Sequence, residues 1–257
     1  MGVANWPACA ATPCASLPVT GGRRGLPPPP PPLNPLSLPL SLSLQTTKRT
    51  GWVRRGVPHP ESIADHMYRM AVMALVAGMQ GGGAGGDGGD APGAPATTTT
   101  DPPSPPLDVA KCVLLALAHD VAEAIVGDIA PGDGVSKADK AAREAAAMAQ
   151  VEAMLGGGPA ASRLGALFAE YEVGETREAA LVKDLDKVEM VLQAGEYERA
   201  AAAAVAAGGE EGGEGPPPPA GRPLDLSEFF DSVRGRLATP VGAAWMAEAE
   251  ARRPPAE

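Results

Sequence analysis

Three histidines are present, His59, His66 and His119, and two of them sit where an imidazole could hold a metal. His119 is followed at once by Asp120 inside the most apolar stretch of the chain, residues 107–126, where Val109, Val113, Leu114, Leu117, Val121, Ile125 and Val126 recur at helical spacing. A charged Asp in that company is costly to bury unless something neutralises it, and a divalent cation does so well. On one helix His119 and Glu123 lie four apart and Asp120 and Glu123 three apart, so all three project to a common side. Asp128, just past the Gly127 break, can turn back toward them, placing one imidazole and three carboxylates within about two helical turns. Alone, a His–Asp pair more often marks an ion pair or a polar surface patch; the apolar surroundings and the added acids argue for a site. His59, between Pro58 and Pro60, reads as a solvated turn histidine.

Further ligands must come from other elements. His66 falls in the first turns of a helix expected over 62–79, opened by a capping box of Ser62 and Asp65. A long helix is expected over 178–200, with Leu181, Val182, Leu185, Val188, Val191 and Leu192 as its buried side. There Asp186 lies beside Leu185 at the edge of the apolar face, while Asp184 and Glu189 read as solvated charges paired with lysines. Periodicity alone does not select Asp186 among them. Helices are also expected over 136–155, opened by Ser136 and Asp139, and over 164–171, 226–237 and 241–251. No two-residue alternation and no internal repeat is visible, so the expected fold is all-α. Met67, Met70 and Met73 read as core at helical spacing, and Cys112 as a small buried hydrophobe.

Between these helices the composition changes. The chain holds 32 Gly and 29 Pro in 257 residues, strongly clustered. This predicts a disordered Pro-rich leader over 1–45, low-complexity insertions over 80–106 and 201–223, a tail at 253–257, and one folded domain over 46–252. The acid-poor leader reads either as an organelle transit peptide or as a segment without an address, and the run from Pro27 to Pro32 argues against the amphipathic helix that a transit peptide uses. Net charge is −10, with no acid before Glu61, so the body repels phosphate backbones and a nucleic-acid polymer is not an expected partner. Cys9, Cys14 and Cys112 are too few for a disulfide framework or a zinc ribbon, which makes a reducing, intracellular, by default cytoplasmic setting the expectation. No apolar run reaches the eighteen or so residues of a membrane span, and no membrane partner is expected.

Taken together, Glu61 through Met70, His119-Asp120 with Glu123, Gly127 through Pro131, and Lys183 through Met190 resemble the HD-domain metal-dependent phosphohydrolases. Within them the similarity is greatest to the 5'-deoxynucleotidase family of HD domain-containing protein 2. It begins near Arg49-Thr50-Gly51-Trp52 and continues through Glu196-Tyr197-Glu198 to Phe229-Phe230-Asp231. The resemblance implies an HD-domain helical bundle with metal ligands His66, His119, Asp120 and Asp186. It implies Glu123 as the acid beside the reactive water, and Glu123, Asp128 and the Ile129 carbonyl as contacts of a second cation. Arg49 and Trp52 would meet the phosphate and the sugar. The implied substrates are dAMP, dCMP, dGMP and dTMP, and the implied assembly is a homodimer. A nitrogen and carboxylate donor set suits a divalent metal cation (Mn, Co or Mg, or Fe) better than a structural zinc, with up to two per chain.

One departure stands out. The family has an apolar helix before the Arg-Trp segment, and here residues 33–44 carry Pro35 and Pro39, so that helix is expected to be absent, or the start not authentic. Two other functions fit the same residues: an HD phosphohydrolase for another phosphate ester, such as a cyclic nucleotide or a nucleoside triphosphate, and a non-catalytic helical binding module stabilised by its metal.

Overall fold

The computed structural model describes residues 37–81, 106–206 and 224–253. Most of the expected leader with Cys9 and Cys14, the centres of both insertions and the last four residues lie outside the described residues, whose chain falls in one unit, Asn34–Glu257.

Ten helices and no strand are found among the described residues, as the periodicity predicts. They are α1 (Ser37–Thr46), α2 (Thr50–Arg54), α3 (Ile63–Gly81), α4 (Val109–Ala118), α5 (Glu123–Val126), α6 (Lys137–Met154), α7 (Pro159–Val173), α8 (Arg177–Ala206), α9 (Ser227–Val233) and α10 (Pro240–Ala251). The thirty-residue α8 is the axis, with α3, α4, α7, α9 and α10 packed on it. Leu181, Val182, Asp184, Leu185, Val188, Glu189 and Val191 are all buried, so α8 is enclosed on every side rather than on one stripe. It also runs six residues past the expected end of 200, through a run of alanines, the best helix formers, and Ala201 is buried. The helix therefore continues into the segment expected to be the second insertion.

The expected absence of a first helix is overturned by α1, which packs on α3 and α5 and hydrogen-bonds to the latter, the Ser43 hydroxyl donating to the Ala124 carbonyl at 2.7 Å. Pro39 is the third residue of α1, where the backbone N–H has no intrahelical acceptor and its loss costs little; Pro35 precedes the helix. The folded unit thus reaches back into the segment expected to be leader.

The single helix expected over 107–126 is two. Residues 119–122 form a tight turn, with Val121 N–H donating to Ala118 O at 3.3 Å and Glu123 N–H to Asp120 O at 3.0 Å. The break has a packing reason. Cys112, Leu115 and Ala116 of α4 belong to the main core, whereas Ala122 joins Ala147, Met148 and Phe168 in a second apolar cluster between α6 and α7. Close approach also shapes the α3–α4 contact: a Cβ on Gly78 would lie 2.6 Å from Val109 Cγ2, so glycine is required there.

Asp184 is not the solvated charge expected. It is fully buried, and its Oδ2 accepts from Ala238 N–H (2.9 Å), Thr239 N–H (2.7 Å) and the Thr239 hydroxyl (2.8 Å), tying the α9–α10 connection to α8. The expected lysine is present too, Lys187 Nζ standing 3.2 Å from Asp184 Oδ1.

Candidate metal centre

Three segments deliver the expected ligands to one place. His66 sits one turn into α3, whose start is fixed by the capping box: Asp65 N–H donates to Ser62 Oγ (3.1 Å) and Ser62 N–H to Asp65 Oδ2 (2.8 Å). His119 and Asp120 stand in the turn after α4, and Asp186 on α8. The two imidazole rings lie 5.4 Å apart, and one ligand atom each from His66, His119 and Asp186 falls within 4.8 Å of the others. Asp120 Oδ2 completes the set, 3.0 Å from His119 Nε2 and 3.8 Å from His66 Nε2, while Asp186 Oδ1 is 3.3 Å from His66 Nε2.

The tautomers follow from the outer partners. His119 Nδ1 is 2.9 Å from the Ala116 carbonyl, which only accepts, so Nδ1 carries the proton and Nε2 presents its lone pair. His66 Nδ1 is held by Glu189 Oε2 at 2.6 Å with the same consequence. Both Nε2 atoms are buried and make no hydrogen bond. Two buried lone pairs facing two carboxylates, with no thiolate near, are what a divalent cation binds and what water-excluded chain alone leaves unsatisfied. The residues present fit such an ion.

The electrostatics of the chain make the same demand. Burial and Arg49 push the His66 pKa down, yet Glu189 and Asp186 outweigh them and raise it to about 10. Burial would raise Asp120, but His119, Arg49 and His66 hold it down at about 2. Positive charge is therefore favoured between the rings and the carboxylates.

A cavity of about 200 Å³ opens beside the ligands, lined by Asp120 and Asp186 and, around them, by Arg49, Trp52, Glu123 and Lys140. Arg49 reaches Asp120 Oδ2 at 3.3 Å, and its segment is pinned to the start of α3 by Arg49 N–H to Glu61 O (3.1 Å) and Ile63 N–H to Thr47 O (3.0 Å). Trp52 is buried to 2% exposure, tilted against Phe229 with ring centroids 4.4 Å apart, and donates from Nε1 to Glu61 Oε1 at 2.9 Å. Glu123 is 3% exposed, with Oε2 unpartnered. Burial, then the Asp120 and Asp128 charges, push its pKa up to about 9, against the pull of Arg49 and Lys140. Asp128 and Ile129 also line the cavity, and Asp128 is bound to α2, its carboxylate accepting from Thr50 N–H and its carbonyl from the Thr50 hydroxyl.

A larger groove of about 510 Å³ runs along the outer side of α3 past His59, Asp65, Tyr68 and Arg69, but no residue of the four-ligand set lines it. His59 stands there, in a turn with φ of 49° and apart from the metal ligands.

Sequence reasoning missed the supports of the ligands. Glu189, read as solvated, is fully buried; it accepts from His66 and from Arg69 Nε at 2.8 Å. Tyr171 OH donates to Asp186 Oδ2 at 3.0 Å, and Lys140 Nζ stands 3.8 Å from Glu123 Oε1. The signal for Glu189 was present: an acid directly between Val188 and Met190 on a helix with apolar residues on several faces.

A family model described as "HD domain" matches residues 42–83 and 96–211, over half of the chain. The chain belongs to the HD-domain family. The chain is 37% identical over 212 residues to mouse "5'-deoxynucleotidase HDDC2", a match covering 82% of this chain and 83% of that protein. It is 38% identical over 159 residues to "5'-deoxynucleotidase hdd1" of the fission yeast Schizosaccharomyces pombe, covering 61% and 68%. Among solved structures, a conserved hypothetical protein from Pyrococcus furiosus superposes with a TM-score of 0.57 at 27% identity, over 85% of this chain and 97% of that one.

In this HD domain Glu189 sets the His66 tautomer, so its loss should weaken the metal site from outside. Glu189→Gln keeps the volume but offers a single acceptor oxygen to two donors. Manganese affinity is expected to fall about 10- to 100-fold, read by titrating the metal-free protein. An unchanged affinity in a folded variant would contradict this role.

Proposed function

We propose that this chain is a metal-dependent 5'-deoxynucleotidase, hydrolysing deoxyribonucleoside 5'-monophosphates to deoxynucleoside and phosphate. The observation that carries the reading is the convergence of His66, His119, Asp120 and Asp186 beside a cavity that Arg49, Trp52 and Glu123 line. The names of the mouse and fission-yeast relatives support the same activity.

His66 and His119 would hold the cation through Nε2, with Asp120 and Asp186 as its carboxylate ligands. When bound, the ion supplies counter-charge to the phosphoryl oxygens and lowers the pKa of a water. Glu123 would orient that water and take its proton once a bound cation lowers the carboxyl pKa that burial, Asp120 and Asp128 otherwise raise to about 9. The Arg49 guanidinium meets the phosphate dianion in its fork geometry. Trp52, held by Glu61 and packed at a tilt against Phe229, walls the sugar, and close packing there excludes a 2'-hydroxyl. About 200 Å³ admits the phosphate and pentose and leaves the base at the rim, consistent with action on dAMP, dCMP, dGMP and dTMP alike.

Manganese, cobalt or magnesium fits the donors, and Glu123, Asp128 and the Ile129 carbonyl would contact a second cation. Assembly as a homodimer rests on the family resemblance. No described helix is long and apolar enough to cross a membrane.

Phosphate release from the four deoxynucleotides, AMP and bis(p-nitrophenyl) phosphate, with each metal in turn, tests the reading. The deoxy monoesters should be cleaved in preference to AMP and to the diester. Preferred diester cleavage would move the chain to another phosphate ester, and stoichiometric metal without turnover on any ester would make it a binding module.

A further inference from the structure

We infer that Lys140 of α6 is a second cationic ligand for the phosphoryl group, acting with Arg49 on the substrate. This rests on the hydrolase reading above and assigns it a residue that neither the motifs nor the resemblance marks.

The first ground is position. Of the basic residues on α6, Lys137 and Arg143 are exposed, whereas Lys140 is half-buried and lines the cavity with Arg49. It stands one turn before Glu144, on the side of the helix that carries buried Glu144, Ala147, Met148 and Val151. A lysine on that side lays its stem against the cavity wall while its ammonium stays open to whatever enters, with 37% of the side chain exposed.

The second ground is coordination. Lys140 Nζ is 3.4 Å from Glu144 Oε1 and 3.8 Å from Glu123 Oε1. Both exceed the 2.7–2.9 Å or so of a charge-assisted hydrogen bond, so the ammonium keeps donors for a third, better placed anion. A lysine serving only to pair Glu144 would close on it.

The third ground is charge. Four carboxylates line the cavity, Asp120, Glu123, Asp128 and Asp186, against the two cations Arg49 and Lys140. Lys140 adds positive charge to walls that carry more carboxyl groups than cations, at the place where a phosphate dianion must enter.

The test uses the full chain loaded with manganese, comparing wild type with Lys140→Met, Lys140→Arg and, as a control on the exposed side of the same helix, Lys137→Met. KM and kcat are measured on dAMP, and the Kd of inorganic phosphate by calorimetry. Lys140→Met should raise both KM and the phosphate Kd about ten- to a hundredfold, the scale of one hydrogen bond to a charged group, with metal stoichiometry unchanged. Lys140→Arg should restore most of both, and Lys137→Met should match wild type. Because phosphate binding needs no turnover, a wild type inactive on dAMP would overturn the nucleotidase reading while the calorimetry still decides the role of Lys140. Unchanged KM and Kd in Lys140→Met overturn the inference, as does weakening that appears only together with lost metal.

Discussion

Asp120→Ala is expected to release phosphate from dAMP at no more than about a thousandth of the wild-type rate and to bind no manganese in the four-ligand site. Asp120 stands against both imidazoles and Arg49. Its Oδ2 lies 3.0 Å from His119 Nε2, 3.8 Å from His66 Nε2 and 3.3 Å from Arg49. Removing it takes one charge from the expected ligand set and leaves the Arg49 guanidinium without its ion-pair partner beside the two imidazoles. Groups that act as a unit fail together, so loss of one costs on the order of 10³-fold or more rather than a share of the rate. Retained activity in this variant, after purification away from contaminating phosphatases, would end the hydrolase account.

Glu123→Gln should separate chemistry from metal binding. Glu123 is not among the four expected ligands, and its Oε2 makes no hydrogen bond. The amide can neither take a proton from water nor carry charge, so kcat should fall about 10²- to 10⁴-fold while manganese still binds. The same substitution should change stability in the opposite sense. Burial and the neighbouring Asp120 and Asp128 raise the Glu123 pKa to about 9. A carboxyl whose pKa is raised on folding stabilises the fold in its protonated form and loses that contribution as pH rises toward the folded value. The metal-free glutamine variant, neutral at every pH, is therefore expected to melt above wild type at alkaline pH, with the gap closing below pH 4 or so, the unperturbed carboxyl range. A variant that keeps its turnover, or one that melts lower throughout, contradicts this placement of Glu123.

The parts legible in the sequence were those where one residue type at one spacing has one physical meaning. Ser62 and Asp65 cap α3 as the capping box predicts, which fixes where His66 emerges. Apolar periodicity located most of the helices, because burial on one side leaves a repeating trace. The illegible parts share a cause in tertiary context. On α8, Asp184 and Glu189 beside Lys183 and Lys187 looked like solvated charges, but both acids are buried, and Lys183 lies 4.5 Å over the Tyr171 ring. The three acids then divide by partner: Asp184 to the α9–α10 connection, Glu189 to His66 Nδ1 and Arg69, Asp186 to His66 Nε2 and Tyr171. No pattern along the chain distinguishes those partners, and the family resemblance was needed to choose Asp186. The turn at 119–122 was hidden because Val121 and Val126 keep helical spacing across it, while the packing of α4 and α5 on different neighbours is a property of the assembled molecule. Helix α1 is obscured for a different reason: Pro39 lies in its first turn, where proline is tolerated, rather than in its interior.

The central claim is that two imidazoles and two aspartates from three segments share one ion. Anomalous scattering from a crystal of the manganese-loaded protein tests it most directly. The account predicts a strong peak within roughly 2.0–2.3 Å of His66 Nε2, His119 Nε2 and a carboxylate oxygen from each of Asp120 and Asp186. Glu61, His66 and Glu189 form the other group of the described residues able to hold a metal. A peak there, on the Nδ1 side of His66, would contradict it.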